Sequence, residues 1–117
     1  MRIAFLISGI VEIIGAFIFY VYPDVMHQNP TPYLMKLYGI NALILGIINM
    51  LIYRHYQTSD LIRKVFLAMM FFHGAIAMMT YGIKDAGLNY PLGAVLTHLA
   101  LFVLFFITYM RDLKPDN

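Results

Sequence analysis

Four apolar stretches, each near the length of a membrane-spanning helix and separated by short polar connections, dominate this chain of 117 residues. Such a helix needs about 20 mostly apolar residues. Runs of that kind lie at 3–22, 37–53, 65–83 and 91–110. The first is broken only by Glu12 and ends at Pro23 and Asp24; the second carries no charge between Lys36 and Arg54. The third lies between Lys64 and Lys84, and the fourth closes at Arg111 and Asp112. Pro91 opens the fourth, in a first turn where a missing N–H costs little. The period-two alternation of an outer-membrane barrel is absent. Helices are then the means of satisfying the backbone in hydrocarbon.

Composition names the same solvent. Apolar residues make up 62% and charged residues 12% of the chain, where soluble domains average about 45–50% and 25%. So few charges cannot coat a water-soluble globule, and so many apolar and aromatic residues exclude a disordered tail. The net charge of +2 is small and scattered, which excludes a nucleic-acid binder relying on phosphate neutralisation. With no cysteine there is no disulfide framework, thiolate metal site or thiol redox chemistry.

The connections are too short to be domains, so residues 1–117 read as one transmembrane domain. Short loops between long helices predict an all-α, integral-membrane, up-down four-helix bundle. The first connection is proline-rich (Pro23, Pro30, Pro32) with room for an interfacial turn at 33–36. The second offers Ser59 or Asp60 as an N-cap, and the third is a tight Gly/Asn turn at 84–90. The first span lacks the basic n-region and small-residue cleavage site of a signal peptide, and is expected to stay in the mature protein.

Orientation follows from lysine and arginine near the helix ends. Arg2, Arg54, Arg63, Lys64, Arg111 and Lys114 fall on the face of both termini, against Lys36 and Lys84 opposite. This predicts an N-in, C-in protein of the inner membrane. Tyr20, Tyr22, Tyr33, Tyr38, Tyr81 and Tyr90 crowd the outer face as an interfacial aromatic belt.

Glu12, Asn41, Asn49, His73 and His98 lie inside spans, where polar side chains mark functional sites by default. Counting inward at ~1.5 Å per residue puts Glu12 and His73 about 15 Å deep, His98 about 10 Å and Asn41 about 8 Å. One side chain from each helix thus reaches a common layer, with Ser8 and Asn49 as a second, deeper pair. Gly9 and Gly15 flank Glu12, Gly39 and Gly46 share a face, Gly74 adjoins His73 and Ala94 lies a turn from His98. Small residues let helices approach closely or leave room for a bound group. Phe66, Phe71, Phe72, Phe102 and Phe106 read as lipid-facing.

The layer has four readings. As a structural core it holds helix register through bonds worth about 0.6 kcal/mol each. As a ligand pocket, Glu12, Asn41, His73 and His98 receive the head group of a quinone, lipid or terpenoid. As a haem b site, His73 and His98 are axial ligands. With Glu12 the same histidines form a two-His, one-carboxylate metal set, although no helix carries the E-x-x-H pairing of di-metal bundles. A proton path has only Ser8, Asn49 and Thr108 to continue it inward. His27 and His55 read as solvated loop residues, and the methionines as packing or lipid-facing rather than copper ligands.

The first helix, with SGIVEIIGAF ending at YPD, and the second, with KLYGINALILGIINM, resemble the small bacterial tetraspan proteins of the DoxX-like group and related families. That resemblance spans most of the chain through generic small-residue patterns and carries over no catalytic residue. It implies quinone-linked chemistry or membership of a membrane complex. The sequence as a whole predicts an accessory membrane subunit without catalysis of its own. Its partners are the lipid bilayer, other membrane subunits or further copies of itself, and a lipophilic small molecule. The alternative is a quinone- or haem-linked redox component using His73 and His98.

Overall fold

The computed structural model describes residues 1–22, 32–82 and 92–112, with the backbone alone for Pro32 and Tyr33. Expectations for the rest of the first connection including His27, for the 84–90 turn, for Pro91 and for Lys114 fall outside those residues. Four helices run Arg2–Val21 (α1), Pro32–Arg54 (α2), Asp60–Gly82 (α3) and Leu92–Asp112 (α4). There is no strand among the described residues. All four helices are long and apolar enough to cross a membrane. The chain is an all-α, multi-pass membrane protein, as its apolar stretches predict.

The helices outrun those stretches. α2 begins at Pro32 and absorbs the expected turn at 33–36, α3 begins at Asp60 rather than 65, and α4 continues to Asp112. Charges mark where hydrocarbon ends, whereas a helix ends only where another partner takes over its backbone groups. At α3 that partner is Ser59. Its Oγ accepts from the Ile62 N–H at 3.2 Å, and its carbonyl accepts from the Arg63 N–H at 3.0 Å. Ser59 rather than Asp60 is therefore the N-cap. Asp60 instead pairs with Lys64 at 2.7 Å, an exposed contact that contributes little.

The chain divides into two compact units, one of residues Arg2–Tyr56 and one from Gln57 onward. Each is an antiparallel helical hairpin. In the first, α1 and α2 meet through glycines. A Cβ placed on Gly46 would stand 3.1 Å from the Gly9 carbonyl oxygen and 2.7 Å from Ile13 Cγ1. One on Gly39 would stand 3.0 Å from the Ala16 carbonyl oxygen. Removing side chains at these crossings lets backbone touch backbone, the usual source of helix attraction where lipid is as apolar as leucine.

In the second hairpin the seam is aromatic. Phe66 of α3 packs on Phe105 of α4 with ring centroids 4.5 Å apart, and Gly74 makes room for the Phe102 ring. Phe66 is wholly buried, so its expected lipid exposure is wrong. Phe66, Met69, Met70, His73 and Ala77 recur every three or four residues along α3, one helical face turned inward. Phe71 and Phe106 do face outward.

Candidate functional site

His73 stands on the inward stripe of α3, a turn after Met69 and Met70, and is completely buried. His98 occupies α4 between Val95 and Leu101, which are both buried, and is itself half-buried. The hairpin brings the two rings together: Nδ1 lies 3.0 Å from Nδ1, and the centroids are 5.3 Å apart. Phe72 presents its edge to both rings, with centroids 5.3 and 6.3 Å away. Phe105 closes against His73 at 5.6 Å. The imidazoles therefore meet in an aromatic frame.

This contact sets the chemistry of the pair. A neutral imidazole has one N–H and one acceptor nitrogen, so one Nδ1 donates and the other accepts. The donor ring is left with an Nε2 lone pair, and the acceptor ring with an Nε2–H. Beyond their mutual bond each ring keeps one further nitrogen, Nε2, and the two Nε2 atoms differ in whether they carry the proton. His98, the half-buried member, is the ring that a molecule outside the seam can reach.

The same geometry argues against the axial-ligand reading. Nδ1 atoms that face one another turn both Nε2 atoms apart, so the rings do not converge on one iron. A porphyrin would also need to enter between rings already in hydrogen-bond contact. The residues present do not fit a bis-histidine haem. The carboxylate of the two-His, one-carboxylate set, Glu12, belongs to α1 of the other hairpin.

In that first hairpin, Asn49 Nδ2 donates to Ser8 Oγ at 3.0 Å, and both residues are wholly buried. The Asn49 Oδ1 atom is also buried and accepts no hydrogen bond among the described residues. Glu12, one turn beyond Ser8, is buried with Ser8, Gly9 and Ala16 on the same face of α1.

Asn41 does not join these groups. It is exposed on α2, which corrects its expected place in the pocket. Gly39 and Gly46 carry the α1-facing side of α2. Two residues beyond Gly39 is about 200° around a helix of 3.6 residues per turn, so Asn41 emerges on nearly the opposite side. Thr108, considered for a proton path, donates its hydroxyl to the Leu104 carbonyl at 2.7 Å. Its polarity is spent within its own helix.

No family model, curated protein or solved structure matches this chain. The functional reading accordingly rests on the geometry of the side chains.

Among features that sequence reasoning missed, the face-to-face Nδ1 contact stands out. Depth counting put His73 and His98 at similar levels without giving their rotation. A histidine amid the i, i+3, i+4 apolar stripe of α3, opposite another amid the stripe of α4, was the available signal.

Proposed function

We propose that this protein is an accessory subunit of the inner membrane, with no catalysis of its own, that holds the head group of a lipophilic ligand at the His73–His98 pair. The observation that supports this reading is the Nδ1–Nδ1 contact at 3.0 Å, set among aromatic rings with one imidazole half-buried. The outer nitrogen of the half-buried His98, in an apolar frame, suits a ligand whose head carries carbonyl or hydroxyl oxygens and whose body is hydrocarbon, such as a quinone. Ligand sites commonly combine an apolar lining with a few fixed polar groups in this way.

The subunit role draws on Asn41. A carboxamide on the outside of a spanning helix is costly unless another polar group meets it, and a neighbouring membrane chain supplies one. The basic residues gathered at the Arg2, Arg54 and Arg63 ends favour an N-in, C-in orientation in that membrane.

Extraction of the detergent-purified protein, followed by mass spectrometry of the extract, tests the reading. A quinone or other oxygenated isoprenoid is expected in near-stoichiometric amount from the wild type and is lost from His98→Ala. A ligand-free monomer that turns over a substrate overturns it, as does a ligand retained equally by His98→Ala.

A further inference from the structure

An open groove of about 340 Å³ runs along the first hairpin, lined by Ile13, Ile47, Met50, Leu51, Tyr53 and Arg54. Its residues on α2 recur at i, i+3, i+4 and i+7, so it follows one face of the helix for about 10 Å. At its deep end it is aliphatic, near the Gly46 crossing where Ile13 packs. At its shallow end it finishes on Arg54, in the last turn of α2.

The shallow end is built rather than incidental. Arg2 Nε donates to the Tyr53 carbonyl oxygen at 3.1 Å, capping a helix end that otherwise has no partner for it. The Arg2 guanidinium also lies over the Tyr53 ring, 4.7 Å from its centroid. Tyr53 is thereby held between the two hairpin ends, beside an Arg54 that forms no ion pair among the described residues. His55 follows, and the next carboxylate in the sequence is Asp60. Two guanidinium groups therefore stand near the helix terminus at the mouth of an aliphatic channel.

We infer that this groove binds one phospholipid with an anionic head group, its acyl chain lying along Ile47, Met50 and Leu51 and its phosphate meeting Arg54. An aliphatic channel alone accepts any acyl chain. The unpaired guanidinium at the membrane interface gives the preference for negative charge, since basic residues there attract anionic lipid. This site is separate from the imidazole pair and stands whatever ligand that pair holds.

Native mass spectrometry tests it on the full chain in detergent, after incubation with equal parts of phosphatidylglycerol and phosphatidylcholine of matched chains. The wild type is expected to retain phosphatidylglycerol about fivefold over phosphatidylcholine, the scale of one cation at an anionic interface. Arg54→Gln brings that ratio close to unity, and Arg54→Lys keeps most of it. Leu51→Phe, which fills the channel, lowers retention of both lipids. Arg111→Gln, at the end of α4, leaves the ratio as it was.

The inference is overturned by a wild type without preference, by Arg54→Gln keeping it, or by Arg111→Gln abolishing it equally, which marks diffuse surface attraction. Binding of glycerol phosphate as strong as that of phosphatidylglycerol also overturns it, since the channel then contributes nothing. Arg54 is exposed, so its substitutions test the site even if Leu51→Phe fails to fold.

Discussion

His73 and His98, 25 residues apart in the chain, share a hydrogen bond between their Nδ1 atoms at 3.0 Å. Buried polar contacts between membrane helices contribute about 0.6 kcal/mol on average and at most about 1.7 kcal/mol. Removing one ring leaves its partner in an apolar seam without that bond, whereas replacing both removes the mismatch. His73→Leu and His98→Leu should each destabilise the protein, and the double variant by less than their sum. Denaturation in mixed micelles measures the cycle. A coupling energy of zero means that the contact contributes nothing to the fold.

Gly46 is the tightest point of the first hairpin. An added Cβ meets Ile13 Cγ1 at 2.7 Å and backbone atoms of Gly9 and Ile13 at 3.1 Å, and backbone has nowhere to go. Gly46→Ala should therefore cost about 1–3 kcal/mol, the usual range for overpacking. Gly15 is the control, because its Cβ meets nothing nearer than Phe19 Cε2 at 3.9 Å. Gly15→Ala should be neutral, or more stable by up to about 1 kcal/mol from the helix preference of alanine. Thermal unfolding of the two variants side by side checks the contrast. Equal effects would show that close approach is not what holds α1 to α2.

These glycines also show what was legible in the sequence. Stretches between charges locate the four spans, since length and apolarity are what the bilayer demands. They miss the helix ends, because α2 and α3 carry Lys36, Asp60, Arg63 and Lys64 within continuous helix. Depth counting brings Ser8 to Asn49 and His73 to His98, for antiparallel neighbours share levels. It misplaces Asn41, because level says nothing of rotation about the helix axis, and reading the large Phe66 as lipid-facing fails for want of the same angle. The Gly39–Gly46 pair held that missing angle, and reading it as the α1-facing side would have turned Asn41 outward.

Two asparagines eight residues apart on α2 should accordingly behave in opposite ways. Asn49 is buried and bonded to Ser8, so Asn49→Leu breaks an internal contact and should cost about 0.6–1.7 kcal/mol. Its effect on association should be small. Asn41 is exposed within its span, so Asn41→Leu should leave stability within about 0.5 kcal/mol. It should instead weaken association with whatever covers that face. Unfolding and cross-linking in native membranes separate the two. An Asn41→Leu protein that cross-links as the wild type does removes the main argument for a partner on α2.

Because the chain has no cysteine, its orientation can be read with single introduced thiols. Gln57 precedes the Ser59 cap between α2 and α3, and Gly82 ends α3 with open space around any added Cβ. A spanning α3 places these two positions on opposite sides of the membrane. The proposed N-in, C-in orientation in the inner membrane, argued from the excess of Arg2, Arg54, Arg63, Lys64 and Arg111 at the Gln57 side, puts that side in the cytoplasm. Gln57→Cys should then react with an impermeant maleimide only after the inner membrane is opened, while Gly82→Cys reacts in spheroplasts. Labelling in the reverse order inverts the topology, and with it the leaflet in which Arg54 meets its lipid. Labelling of both thiols from one side would mean that α3 does not cross at all.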